Sequence, residues 1–467
     1  MTHKLSRRHC IKLVASAGIS AMGALWVGGC APKETPTPTE EPVQETAAER
    51  EQPVAASKGK IELRYMDRSG PVGDFMRYAS RVYEERNPDI TVINETTAWG
   101  DLQTKVPTMV AGGTVPDVVF QHGALMLPEL AAKGAWLNLE PVAERDNHDF
   151  SIYYDWALDT LRLGPNGELV AMPNGVNQGE TELHWNRELL QDFGLAEPHD
   201  KMTIAELTEL FIKIQEKMPD NGFAAHYGTA HWPVEGLARA FGGYLISHDR
   251  TSVGFSLPET QDALSWQYDL INKYKVMPTQ EQVLQNATSM FFAGMLATTF
   301  NCSANIWSGF EQAVEGRFSL GHCLWPKGDT GWSITPSCDA NVAYAKTKYP
   351  DEAWGLLKLL SSFEISKWTA ISESHMTPGA VIEAWHDPEV WEACPPYKDC
   401  ALAYDTIPWG EIETWSMPVP ANTRRAEFND LFSNEWSGML YGQRPYDQSN
   451  IDALQAELQA IVDKPMP

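Results

Sequence analysis

Between Ile61 and Phe120 the chain alternates strand-like and helix-like runs, and this rhythm limits the fold more than any other feature. Ile61 to Met66 alternates as a strand, and Phe75 to Arg86 carries apolar and aromatic residues at helical spacing until Asn87-Pro88 stops it. Ile90 to Ile93 is a second strand, Asp101 to Ala111 a second helix ended by Gly112-Gly113, and Asp117 to Phe120 a third strand. Strand, helix, strand, helix, strand predicts a parallel sheet with crossover helices. Ligands of such sheets sit beyond the carboxyl ends of the strands, which places Asp67, Arg68, Ser69, Trp99, Gln121 and His122 on one rim.

At 467 residues the chain is too long for one core, so at least two lobes are expected. The run from Gly167 to Leu190 is the candidate joint. Asn166-Gly167 makes a tight turn, Glu168 to Met172 is a short strand broken by Pro173, and Asn174 to Glu180 offers amides and a carboxylate with almost no apolar mass. Such a passage is not expected in a core. Thr181 to Trp185 alternates again, and Asn186 caps a helix through Leu190. A plain surface loop is the competing reading of the same residues.

The N-terminus directs the protein out of the cytosol. Met1 to Gly29 has a basic start, an apolar middle and a small-residue exit, the three parts of an export signal, and is too poor in strongly apolar residues to span a membrane. Ser6-Arg7-Arg8-His9-Cys10-Ile11-Lys12 resembles a twin-arginine motif, with His9-Cys10 departing from its usual apolar pair, so the general secretory route stays open. Val27-Gly28-Gly29-Cys30 resembles a bacterial lipobox, in which Cys30 would be acylated. Ala31 to Lys58, rich in Pro, Thr and Glu, cannot bury enough surface to fold and reads as a tether.

A formal net charge of -26 argues against nucleic acid, or an anionic membrane, as a partner of the body, since both need a positive footprint. Membrane association is therefore expected through the lipid alone. Cys302, Cys323, Cys338, Cys394 and Cys400 remain in the body; Cys394 with Cys400 is the plausible local disulfide, and no spacing is that of a metal or haem site. Neither metal nor cofactor is expected. No GxSxG, HExxH, P-loop or Rossmann glycine pattern occurs, so no enzyme is expected, although 62 acidic residues leave a glycan hydrolase open.

Several motifs, in order, resemble those of the extracellular solute-binding proteins of ATP-driven importers, the group that includes sugar and oligosaccharide binders. They are Tyr83-Glu84-Glu85-Arg86-Asn87-Pro88-Asp89-Ile90-Thr91-Val92, Ala111-Gly112-Gly113-Thr114-Val115-Pro116-Asp117-Val118-Val119, Lys133 to Leu139, Trp185-Asn186-Arg187-Glu188-Leu189, Phe291 to Ala297 and Pro350-Asp351-Glu352-Ala353-Trp354. Met295 stands where the family carries a basic residue. The resemblance implies an α/β fold of the two-lobed periplasmic-binding-protein-like type II, each lobe a mainly parallel sheet flanked by helices, with three hinge crossings. The expected layout is a signal over 1–29, a tether over 30–58, lobe 1 over 59–173 and 302–345, and lobe 2 over 174–301 and 346–467. Asn301 to Asn305 and Asp339 to Ala345 would be the second and third crossings.

The resemblance further implies a monomer, anchored by lipid on the outer face of the cell membrane or in the periplasm, that captures a carbohydrate in the interlobe cleft and hands it to permease subunits. Gln121, His122, Asn177, Gln178, Glu180, Asn301 and Asp339 would bond hydroxyl groups, with Arg68 and Ser69 beside them. Trp99, Trp232 and Trp409 would stack on ring faces. For Trp232 burial between helices, for His122 a satisfied position at the strand end, and for Asp339 and Glu180 a solvated loop are the competing readings. A lipid-anchored glycan hydrolase, or a peptide or polyamine binder on the same fold, is the alternative function.

Overall fold

The computed structural model describes residues 60–177, 182–228, 231–283, 287–301, 317–324, 337–372, 376–405, 420–422 and 424–465. All of them belong to one compact unit, Lys58–Pro467. The signal, lipobox and tether fall outside the described residues, and among the described residues no helix is long and apolar enough to cross a membrane.

The described strands form two sheets. The larger has the order β2-β1-β3-β8-β4, with β1 (Ile61–Met66), β2 (Ile90–Asn94), β3 (Val118–His122), β4 (Met172–Asn177) and β8 (Ser337–Ala343). The smaller has the order β6-β5-β7, with β5 (Glu182–Asn186), β6 (Thr298–Asn301) and β7 (Leu320–Cys323). The rhythm read from the first strands is realised: β1 pairs parallel with β2 and β3, and the helices Pro71–Arg86 and Trp99–Gly112 make the crossovers. Alternation buries Leu63 and Tyr65 of β1, while Pro71 preorganises the first turn of its helix.

The expectation of mainly parallel sheets holds only for β2-β1-β3. Strand β8 runs antiparallel to both β3 and β4, because the chain re-enters the larger sheet after an excursion through the smaller one. In the smaller sheet β5 is antiparallel to both of its neighbours.

Strand β4 also differs from its expected span. It runs through Pro173 to Asn177, with an irregularity between Pro173 and Gly175, and Asn174 and Val176 are buried rather than solvated. Its position explains this. As the edge strand of its sheet, β4 tolerates a proline that donates no hydrogen bond. Asn186 does cap the following helix, its side chain accepting from the Leu189 amide at 2.9 Å.

Two hydrophobic cores divide the chain, with boundaries unlike those expected. Leu320 to Cys323 lies in the smaller sheet, so 302–345 does not belong wholly to the first lobe. Strands β6 and β7 share that sheet, and the chain is back in the larger one at Ser337. The helices from Pro350 to Tyr404 contribute Trp354, Leu357, Trp385, Tyr397 and Tyr404 to the core of β1 and β3, whereas Phe428, Phe432, Trp436, Leu454 and Leu458 pack with Leu183 and Trp185. An amphipathic pattern reports that a face is buried; it does not report which core buries it. Cys394 and Cys400 are buried free thiols, so the local disulfide is not formed.

Candidate functional site

Chain entry into the first helix builds one side of the site. The Ser69 amide donates to the Thr97 carbonyl at 2.9 Å and the Thr97 amide to the Asp67 carbonyl at 3.0 Å, fastening Arg68 beside the end of β2. Buried Asp67 takes Arg77 Nη1 and Asn94 Nδ2, each at 3.2 Å, which ties the strand end to the helix behind it. Gly73 allows the close turn: a Cβ there would lie 1.5 Å from the Arg68 carbonyl oxygen.

On this platform the Arg68 guanidinium sits over the Trp99 ring, 4.4 Å from its centroid. Trp99 meets the His122 ring edge-on at 5.7 Å, and His122, the last residue of β3, pairs directly with Asp339 of β8. Arg68, Trp99, His122 and Asp339 therefore form one cluster at the strand ends, as the parallel-sheet rule places it. Gln121 does not join it. Strand alternation turns Gln121 to the opposite face from His122, where it is buried and its Nε2 donates to the Phe120 carbonyl at 2.9 Å. Ser69 is exposed at the rim.

The cluster is electrostatically poised. Burial, with Arg425 and Arg68 nearby, pulls His122 down to about 3, so its imidazole is neutral. Burial pushes Asp339 up to about 6, against the pull of Arg68. Arg68 Nε, His122 Nδ1 and Asp339 Oδ1 are shut off from solvent and have no hydrogen-bond partner among the described residues. Buried polar atoms are rarely left so, and three at one strand edge mark a place where an outside molecule can supply partners.

Sequence reasoning missed two residues here. Arg425 opens the helix Arg425–Leu440 of the second core, and its charge reaches His122 of the first. Burial lowers it to about 10. No local signal links it to β3. Asn174 lies in the β4 irregularity next to Gly175, the register partner of Asp339, and both of its amide atoms are buried without partners among the described residues. Its polarity was visible, but its burial was not. Gln178, Glu180, Trp409 and Cys30 lie outside the described residues, as do the side chains of Asn177, Trp232 and Asn301.

Two α/β cores with polar and aromatic groups gathered at the strand ends define a two-lobed solute-binding protein. The chain belongs to the bacterial extracellular solute-binding protein family, whose model matches residues 69–364, and so to a family of exported binding proteins. A binding protein from Brucella abortus (strain 2308) is 24% identical over 328 residues, covering 66% of this chain and 73% of that one. Among solved structures, an ABC substrate-binding protein from Listeria monocytogenes in complex with cycloalternan superposes with a TM-score of 0.73 at 18% identity, covering 86% of this chain and 98% of that one. The GacH receptor of Streptomyces glaucescens, solved unliganded and with acarbose, gives a TM-score of 0.70 at 18% identity, covering 87% and 99%. UgpB from Mycobacterium tuberculosis in complex with glycerophosphocholine gives 0.71 at 17% identity, covering 87% and 99%.

Proposed function

We propose that this protein captures a carbohydrate, a sugar or oligosaccharide, between its two cores and delivers it to the permease of an ABC importer without chemical turnover. The observation that carries this reading is the cluster at the ends of β3 and β8. Arg68 Nε, His122 Nδ1 and Asp339 Oδ1 offer donors and acceptors without partners among the described residues, beside the aromatic ring of Trp99. Sugar hydroxyls need such alternating donors and acceptors, and the apolar faces of sugar rings need an aromatic surface. The Listeria and Streptomyces proteins of the same fold hold cycloalternan and acarbose, which supports the same ligand class here. Arg425, reaching the cluster from the second core, would grip the ligand as the cores close by a hinge motion.

The protein works as a monomer tethered through acylated Cys30, and Cys30→Ser releases it from membranes. The test of the ligand class is a thermal-shift and calorimetry panel of malto-oligosaccharides, monosaccharides, amino acids and polyamines, with chromatography of the recovered sugars to detect hydrolysis. A sugar that raises the melting temperature and returns intact supports the reading. A response to polyamines or amino acids alone, or cleavage of a glycan, overturns it. Because two guanidinium groups serve the cluster, a glycerophosphodiester belongs in the panel, and preference for it over every sugar would replace carbohydrate as the ligand class.

A further inference from the structure

Strand β5 begins Glu182-Leu183-His184, and alternation sends its residues to opposite faces of the smaller sheet. Leu183 and Trp185 enter the second core together with Cys323 of β7. On the other face, Glu182 and His184 share a surface with His322, which lies directly opposite His184 in the antiparallel register, and with Leu320 and Leu324, which belong to the first core. The triad is thus enclosed where the two cores adjoin.

Glu182 Oε1 accepts the Tyr404 hydroxyl at 2.6 Å, which fixes the carboxylate beside the two imidazoles. Oε2 stands 3.8 Å from His184 Nε2 and 3.7 Å from His322 Nδ1, both longer than a hydrogen bond. The ligating atoms of all three residues lie within 4.8 Å of one another. An ion bonded at ~2.1 Å to Oε2 and either nitrogen would subtend roughly 125–130° at these separations, wider than the tetrahedral angle, so binding would draw the three side chains slightly inward to make a four-coordinate site with one position open. Thr299 pairs with His184 from the other side, in β6, and its buried Oγ1 has no hydrogen-bond partner among the described residues, so it can serve a water on the remaining position.

We propose that Glu182, His184 and His322 form a buried site for a divalent transition-metal ion, zinc by its donor set. Two imidazoles and one carboxylate are borderline donors that suit zinc rather than calcium or magnesium. Tyr404, from the helix Pro396–Tyr404 of the first core, is the outer partner that orients the carboxylate. The ion joins β5 to β7 and, through Tyr404, joins the smaller sheet to the first core. It stands on the sheet's own residues and does not depend on what the Arg68 cluster binds.

The mature protein, purified without a histidine tag and stripped with chelator, is titrated with Zn²⁺ against a chromophoric chelator. One equivalent should bind, the melting temperature should rise, and anomalous diffraction at the zinc edge should peak among the three side chains. His322→Gln and His184→Gln should each weaken zinc by about 100-fold or more, and Tyr404→Phe by about 10-fold while the ion still binds. Native circular dichroism in each variant separates loss of the site from loss of the fold. Folded wild-type protein that binds no zinc, or zinc whose anomalous peak lies elsewhere, overturns the proposal, as does unchanged affinity in a folded His322→Gln variant. Binding of copper or nickel at the three residues with zinc excluded overturns the assignment of the ion.

Discussion

His122 and Asp339 face each other across the antiparallel ladder of β3 and β8, and burial shifts both toward their uncharged forms. Asp339 holds its proton to about 6, above its ordinary 3.8, with Arg68 opposing the shift. A carboxyl with a raised folded pKa contributes stability that is complete below its unfolded pKa and is lost as pH rises through the folded one. At pH 8 the ionised carboxylate therefore burdens the fold, by up to ~3 kcal/mol. Asp339→Asn should melt above wild type at pH 8, with the gain shrinking between pH 6 and pH 4. His122 carries the opposite sign: its imidazole stays neutral to about 3, so its contribution is present above pH 6.5 and lost as pH falls. His122→Gln should lessen the acid loss. Thermal melts from pH 4 to pH 8 check both, and a flat difference between Asp339→Asn and wild type would remove the assignment.

Trp99 is partly exposed, begins its helix, is covered on one side by Arg68 and lies against Phe120 at the margin of the first core, so its removal should cost some stability without unfolding the protein. An aromatic platform contributes ~0.5–1.5 kcal/mol beyond the area it buries, and loss of the Arg68 stack frees that guanidinium as well. Trp99→Ala should lower affinity for the preferred sugar by about 10-fold to 100-fold while far-ultraviolet circular dichroism stays unchanged. Titration calorimetry reads the affinity. Equal binding by the variant would exclude Trp99 from the site.

What the sequence announced was local, and what it hid was assembled. The Ile61 strand and the Asn186 cap are set by residues a few positions apart. Arg68, Trp99 and His122 were legible because each stands at the end of a strand or the start of a helix in one βαβ series. Asp339 joined them through a family resemblance. Arg425 had no such signal, since a helix of the second core carries it to a strand of the first. The Glu182-x-His184 alternation is visible, but its third member sits on a partner strand that only folding brings opposite, so cysteine and histidine spacing gave no sign of a metal.

Gly321 is the partner of Trp185 in the β5–β7 ladder, and the indole lies across its backbone. A Cβ at Gly321 would come within 1.9 Å of the Trp185 ring, which is fully packed and held by a hydrogen bond from Nε1 to Glu197 at 3.1 Å. The ring cannot move without giving up that bond and its place in the second core. Gly321→Ala should therefore cost about 1–3 kcal/mol, the range for overpacking a filled core. Urea denaturation followed by tryptophan fluorescence measures it. An unchanged midpoint would mean that the sheet opens to accept the methyl group.

Glu235 is a fully buried carboxyl whose pKa burial raises, with Arg239 and the amides of Leu245 and Ile246 opposing that rise. Arg239, one helical turn later, donates to Oε1 at 2.6 Å, and the amides of Leu245 and Ile246 donate to Oε2 at 2.7 and 3.2 Å. Arg239 also donates to the Ile246 carbonyl at 2.6 Å, so the ion pair and the turn after the helix His231–Ala240 form one closed network. Removing one partner of a buried pair is worse than removing both, because the remaining charge loses its compensation and the amides lose their acceptor. Glu235→Ala should cost about 3–5 kcal/mol in urea denaturation, and Glu235→Ala with Arg239→Leu should recover part of that loss. Additive costs in the double variant would show that the two side chains act independently. A loss below 1 kcal/mol for Glu235→Ala would mean that water reaches Arg239 and the two amides and replaces the carboxylate.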